Sequence, residues 1–130
     1  MDAVAEEIKS KSPDTLRITI HKVDVTSADE IQALLAQIVQ HHDGRLPDIL
    51  ISNAGYGKRT PYIWDISLEQ FDYMISVNLR ASFILTKGVV EHMKAQRWGR
   101  IVFMSSIAAH GGGVTGVGKL VIAFRVDILF

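Results

Sequence analysis

The apolar run Ile49-Leu50-Ile51 gives way after Ser52 to Asn53-Ala54-Gly55, an amide followed by two residues small enough for a ligand or a neighbouring backbone to approach closely. An uninterrupted apolar triplet lacks the alternation of a half-wet strand, so both faces are expected to be covered, as in a parallel sheet flanked by helices. Such sheets bind ligands at the carboxyl ends of their strands, where Asn53 would stand. Two further strand-like runs close in a comparable way, one on Asp24-Val25 and one on Ser105-Ser106. An acid, an amide and a pair of hydroxyls are therefore expected along one sheet edge. Asn78 sits between Val77 and Leu79 inside a helical pattern. An amide is a mediocre helix former there and, if buried, must find hydrogen-bond partners; the alternative is a solvated surface residue.

A different chemistry is suggested further along the chain. Gly113-Val114-Thr115-Gly116-Val117-Gly118-Lys119 fits the glycine-rich loop that cradles phosphates in nucleotide triphosphatases. Leu120 stands where that loop needs a Ser or Thr for magnesium, and Leu120-Val121-Ile122-Ala123-Phe124 favours strand where a helix should begin. ATP binding through this loop is kept as an alternative. His21, His41, His42, His92 and His110 do not form a metal-ligand pattern, and surface or helix-cap positions suit them better.

Composition removes several classes of function. With 130 residues the chain is one small domain at most, and 48% apolar content supplies a real core without any run long enough for a membrane span. Fourteen basic and fourteen acidic residues cancel, so nothing points to nucleic acid or anionic lipid as a partner. The absence of cysteine excludes disulfides and thiolate sites and fits a cytoplasmic protein. The acidic, amphipathic start from Met1 to Lys9 has neither the apolar core of a signal peptide nor the arginine-rich face of a transit peptide.

The elements that must position these residues alternate along the chain. A helix through Val4 and Ile8 is stopped by Ser12-Pro13-Asp14, and Leu16, Ile18 and Ile20 then alternate with polar residues at strand spacing, up to Asp24. Ser27 with Glu30 forms a capping box for a helix whose stripe is Ile31, Leu34, Leu35, Ile38 and Val39. The strand from Asp48 to Ser52 follows. Ser67 with Gln70 caps a long helix expected to reach Arg97, with Trp98-Gly99 as its stop, ahead of a strand from Arg100 to Met104. Helix, strand, helix, strand, helix, strand is the order of an α/β parallel sheet with right-handed crossovers.

Asp24-Val25-Thr26, Ser52-Asn53-Ala54-Gly55, Val77-Asn78-Leu79 and Gly99-Arg100-Ile101-Val102 leading to Ser105-Ser106, in this order and spacing, resemble the middle of a short-chain dehydrogenase/reductase. The similarity is greatest to the 3-oxoacyl-carrier-protein reductase group. The resemblance implies a doubly wound Rossmann-type NAD(P)-binding fold and reversible hydride transfer between NAD or NADP and a small-molecule carbonyl or alcohol. It implies that Asp24 and the backbone of Val25 face the adenine, and that Asn53, Ala54 and Gly55 line the adenosine ribose. Ser106, with Ser105 as the near alternative, would hydrogen-bond the substrate oxygen and stabilise a developing alkoxide. Asn78 would kink its helix and order a water of the proton relay. The helix from Ser67 to Arg97 resembles the one this family uses for subunit packing, which implies a homodimer or homotetramer.

Two family motifs are not met. The glycine-rich phosphate loop of the first crossover does not precede Leu16, and the resemblance begins where the second crossover would be under way, as if the first two strands were lacking. No Tyr-x-x-x-Lys follows Ser106, since Tyr73 is the last tyrosine and Lys119 has no such partner. The sheet order of the family would place the Asp48 to Ser52 and Arg100 to Met104 strands side by side and parallel. It would leave the Leu16 to Asp24 strand unpaired or in a pairing foreign to the family. Residues 1–117 are accordingly expected to form a partial dinucleotide-binding domain, and residues 118–130 an apolar tail outside the family pattern. A truncated gene product without activity, with intron-derived sequence after about Val117, is the third reading. On any of these, the chain is not expected to work as a reductase unaided.

Overall fold

The computed structural model describes residues 2–11, 17–58, 60 and 62–106. In chain order the elements are α1 (Asp2–Ser10), α2 (Ala28–His41), β1 (Ile49–Ser52), a 3₁₀ turn (Ile63–Asp65), α3 (Leu68–Ile75), a π-helical turn (Ser76–Arg80), α4 (Ala81–Ala95) and β2 (Arg100–Phe103).

Both capping serines do what their spacing predicts. Ser27 Oγ accepts from the Glu30 amide and Ser67 Oγ from the Gln70 amide, each at 3.2 Å, so one orphan donor at each helix start is satisfied. The reciprocal half of the first box is redirected. Glu30 Oε2 accepts from the amide of Asp24 at 2.8 Å, which ties the preceding turn to the start of α2.

The strands β1 and β2 are parallel neighbours, with Ile49 opposite Arg100 and Ser52 opposite Phe103, as the alternation of elements predicts. Leu50, Ser52, Ile101 and Phe103 turn toward α4, which packs on both strands and on α2. The core is concentrated at this seam, where Ile31, Val89 and Met93 are fully buried. Gly88 lets α2 and α4 meet closely, because a Cβ there would run into Leu35 Cδ1.

Three expectations need correction. Residues 17–24 form no strand ladder; of the two alternatives the segment takes the unpaired one, because its side chains bond to α2 and not to a neighbouring strand. Arg17 donates to the carbonyl of His41 at 2.8 Å, Thr19 meets His42 at 3.0 Å and His21 meets Gln37 at 2.8 Å. The sheet is also covered on one face only among the described residues. Ile49 and Ile51 are 52% and 61% exposed, since α4, which carries α2, packs on the opposite side.

Third, the long helix is neither uniform nor stopped by Gly99. It passes through the π-turn, ends at Ala95, and is closed by Arg97, whose φ of 57° is left-handed. The Arg97 amide bonds to Lys94 O and the Trp98 amide to Met93 O, each at 3.1 Å, the paired closure of a Schellman motif. Gly99 has another duty. A Cβ there would lie 2.5 Å from Cγ of the buried Met93, so glycine is needed where the chain turns into β2.

Candidate functional site

The carboxyl ends of β1 and β2 lead into Asn53-Ala54-Gly55 and Met104-Ser105-Ser106, all exposed. The parallel register that aligns Ser52 with Phe103 puts both departures on one edge. Below that edge Ser52 is buried, and its hydroxyl meets that of Ser82 on α4 at 2.8 Å. This contact fixes the β1 end against the helix. Asn53 is exposed and makes no side-chain hydrogen bond among the described residues.

Asn78 is not a solvated surface amide. Its Oδ1 accepts from the Tyr56 amide at 2.7 Å and its Nδ2 donates to the Tyr56 carbonyl at 2.9 Å. The side chain thus replaces a strand partner for one residue of the loop after β1, engaging both the N–H and the C=O of Tyr56. The π-turn occurs where this happens: Asn78 is the central residue of the wider winding over Ser76–Arg80. Gly55 lies against the same amide, with its Cβ position 3.7 Å from Asn78 Oδ1. Tyr56 is further held by Tyr73 of α3, edge to face with centroids 4.9 Å apart.

Asp24 closes its own turn. Its Oδ1 accepts from the Thr26 amide at 2.9 Å and from the Thr26 hydroxyl at 2.8 Å. These bonds, the backbone one first, hold its carboxyl below the usual range. Asp24 thus caps its own turn, and its carboxylate remains exposed beside Val25. On the far side of this turn the Arg80 guanidinium donates to the Thr26 carbonyl at 3.1 Å.

Sequence reasoning singled out Asp24, Asn53, Asn78 and Ser106 but missed Tyr56, Ser82 and Arg80. Tyr56 acts through its backbone, which leaves no mark on residue type. Arg80 and Thr26 are far apart in sequence, and nothing in the pattern pairs them. Gly113 to Lys119 and the tail from 118 to 130 lie outside the described residues.

Two other clusters lie elsewhere. At the amino edge of the sheet Asp48 accepts from Gln96 at 2.6 Å and pairs with His92 at 2.9 Å, and these contacts, with Arg45 nearby, keep its carboxyl low. An open cleft of about 570 Å³ adjoins it, lined by Arg17, His21, His42 and Asp48 among others. It is at the wrong edge for Asn53 and Ser106. Among the described residues no group of His, Asp and Glu could hold a metal ion, and no helix is long and apolar enough to cross a membrane.

A family profile described as short chain dehydrogenase matches residues 1–118. The chain belongs to the short-chain dehydrogenase family. It is 36% identical over 108 residues to the D-beta-hydroxybutyrate dehydrogenase of Rhizobium meliloti, covering 83% of this chain and 39% of that protein. It is 37% identical over 94 residues to the 3-oxoacyl-acyl-carrier-protein reductase FabG of Rickettsia bellii, covering 72% of this chain and 36% of that one. The chain thus spans less than half the length of these curated relatives. Among solved structures, a metagenomic short-chain oxidoreductase in complex with NADP superposes with a TM-score of 0.75 at 29% identity, covering 90% of this chain and 50% of that one. As a short-chain dehydrogenase the chain carries part of a Rossmann-type α/β fold, the class its alternation of elements predicts. The parallel pair β1 and β2, with α4 on one face and α2 packed on α4, is that part.

Proposed function

We propose that this chain carries one portion of an NAD(P)-dependent oxidoreductase that interconverts a carbonyl and an alcohol on a small molecule. The observation that carries the reading is the bidentate bond of Asn78 to the Tyr56 peptide, which fixes the loop after Asn53-Ala54-Gly55 on the edge where β2 delivers Ser106. The relatives named as a hydroxybutyrate dehydrogenase and an oxoacyl reductase share that chemistry, and the aligned oxidoreductase holds NADP.

The residues fit the cofactor's adenosine half. The exposed Asn53 amide offers a donor and an acceptor to ribose hydroxyls, and the exposed Asp24 carboxylate offers acceptors beside an adenine. Ala54 and Gly55 leave room for close approach. When bound, the dinucleotide supplies or receives the hydride. Ser106 donates a hydrogen bond to the substrate oxygen and stabilises negative charge that develops there. Asn78 keeps the Tyr56 loop at a fixed distance from that edge, and its engagement on both amide atoms makes it a positioning residue here. The proton donor is a separate matter. No tyrosine follows Ser106 in this sequence, and loss of a general acid costs about 10²–10⁴-fold in rate. The chain on its own is therefore expected to turn over a β-ketoester far below ordinary enzyme rates. As in the family, the complete assembly is a dimer or tetramer packed through the α3–α4 region, where Phe83 is exposed.

The test is a titration of the isotope-labelled chain with NADP, followed by amide NMR. Shifts grouped at Val25, Ala54, Gly55 and Ser106 are expected. No shift up to about 10 mM, well above the millimolar range in which weak sites fill, or shifts confined to the cleft around Thr19 and His21, would defeat the proposal.

A further inference from the structure

The π-turn makes two long-range attachments, on opposite sides. Through Asn78 it grips the Tyr56 peptide, 22 residues away in sequence, and through Arg80 it donates to the Thr26 carbonyl, 54 residues away. The two gripped segments follow directly on Asn53-Ala54-Gly55 and Asp24-Val25. These carry every group assigned to the adenosine half of the site.

The Thr26 turn needs that outside hold. Within itself it is closed by the two bonds from Thr26 to Asp24 Oδ1 and by the Ser27 amide on the Asp24 carbonyl at 3.1 Å. Toward α2 it is tied by Glu30 to the Asp24 amide. Toward the α3–α4 run, Arg80 provides its hydrogen bond, and residues 17–24 bring no strand ladder to locate the turn relative to β1. The position of Asp24 relative to Asn53 is thus set by the α2–α4 packing, through Glu30, and by one direct bond, that of the Arg80 guanidinium.

Resting on the cofactor reading above, we propose that Arg80 is a positioning residue. The turn Ser76–Arg80 acts as a two-handed clamp that sets the spacing of the Asp24–Thr26 turn and the Asn53–Tyr56 loop, and so the affinity for an adenine dinucleotide. A cation suits this hand because a charge-assisted donor is stronger than a neutral one and holds a carbonyl at the sheet edge against competition from water. The exposed guanidinium touches neither loop's candidate ligand groups, so its effect passes through the Thr26 backbone.

The full chain is compared as wild type, Arg80→Met and Arg80→Lys. Methionine keeps the stem and removes the donor, whereas lysine keeps a charged donor. Two readouts are taken by NMR: the NADP dissociation constant, and the titration of the Asp24 carboxyl, which reports whether Thr26 still closes the turn. Arg80→Met is expected to weaken NADP about 3- to 10-fold, the net range of one solvent-exposed hydrogen bond, and to move the Asp24 titration up toward the ordinary carboxylate value. Arg80→Lys should restore both. Unchanged Asp24 titration and unchanged NADP binding in Arg80→Met would overturn the clamp. Weakened binding with an unmoved Asp24 would also overturn it, since Arg80 would then meet the nucleotide directly. If wild type binds no NADP yet Asp24 responds as described, the clamp stands and the cofactor reading falls.

Discussion

Replacing Asn78 by alanine removes both hydrogen bonds to the Tyr56 peptide, at 2.7 and 2.9 Å, without opening a deep cavity, because the side chain is only half-buried. Each bond contributes a net of about 1 kcal/mol, so about 2 kcal/mol is lost at first count. Two effects reduce the loss. Alanine is better in a helix than asparagine by about 0.5 kcal/mol, and Tyr56 lies at the surface, so water can take over part of its peptide. The net expectation is a destabilisation of about 1 kcal/mol, a fall of about 3–5 °C in Tm for a domain of this size. The local effect is larger than the global one, because the Tyr56 loop is then held by little besides its ring on Tyr73. Urea unfolding measures the first and hydrogen exchange of the Tyr56 amide the second. Asn78→Ala should raise that amide's exchange rate more than tenfold, while amides of the α2–α4 seam follow global stability. An unaltered Tyr56 exchange rate would refute the assignment of Asn78 as the residue that holds this loop.

Gly99→Ala should cost about 1–3 kcal/mol by urea unfolding, since the new methyl meets Cβ, Cγ and Sδ of the fully buried Met93 at 2.5–2.6 Å; Gly88→Ala should cost less, because Leu35 Cδ1 is the end of a half-buried chain that can swing away. Ile51→Thr, on the bare sheet face at 61% exposure, should change stability by no more than about 0.5 kcal/mol and slow aggregation measured by light scattering. The Asp48 carboxyl is held low by Gln96 first and then His92, so its folded value lies below its unfolded value of about 3.9. Its contribution is therefore present above that value and is lost as pH falls through the folded one. The drop in Tm between pH 5 and 3 should be smaller in Asp48→Asn than in wild type.

What could be read from the sequence was what is fixed locally or by a pattern several residues long. Ser27 and Ser67 were legible as caps because each partner lies three residues away on the same turn, and the parallel pair was legible because apolar runs bracketed a helix. The misreadings have a common cause. Periodicity tells what a segment is suited to bury, and the Ile49-Leu50-Ile51 run is indeed suited to a two-sided cover, but the described chain supplies helices on one side only. The same holds for residues 17–24, whose alternation suits a strand, while Arg17, Thr19 and His21 find partners on α2 instead.

Glycine and asparagine show where residue type alone misleads. Trp98-Gly99 was expected to stop the helix, yet the left-handed residue is Arg97 with φ 57° and Gly99 is there to clear Met93. A helix stop and a packing constraint leave the same letter in the sequence, and only the position of the neighbouring side chain separates them. For Asn78 the sequence raised the right question, where a mid-helix amide finds its partners, and could not answer it because the partner is a peptide group. Backbone partners have no residue signature. The same physics explains why Arg80 went unread, since its acceptor is the carbonyl of Thr26 and would be there whatever residue stood at position 26. Side chains that hold loops by their backbones are thus the part of a site that coordinates reveal and composition conceals, and in this chain two of them lie within one π-turn.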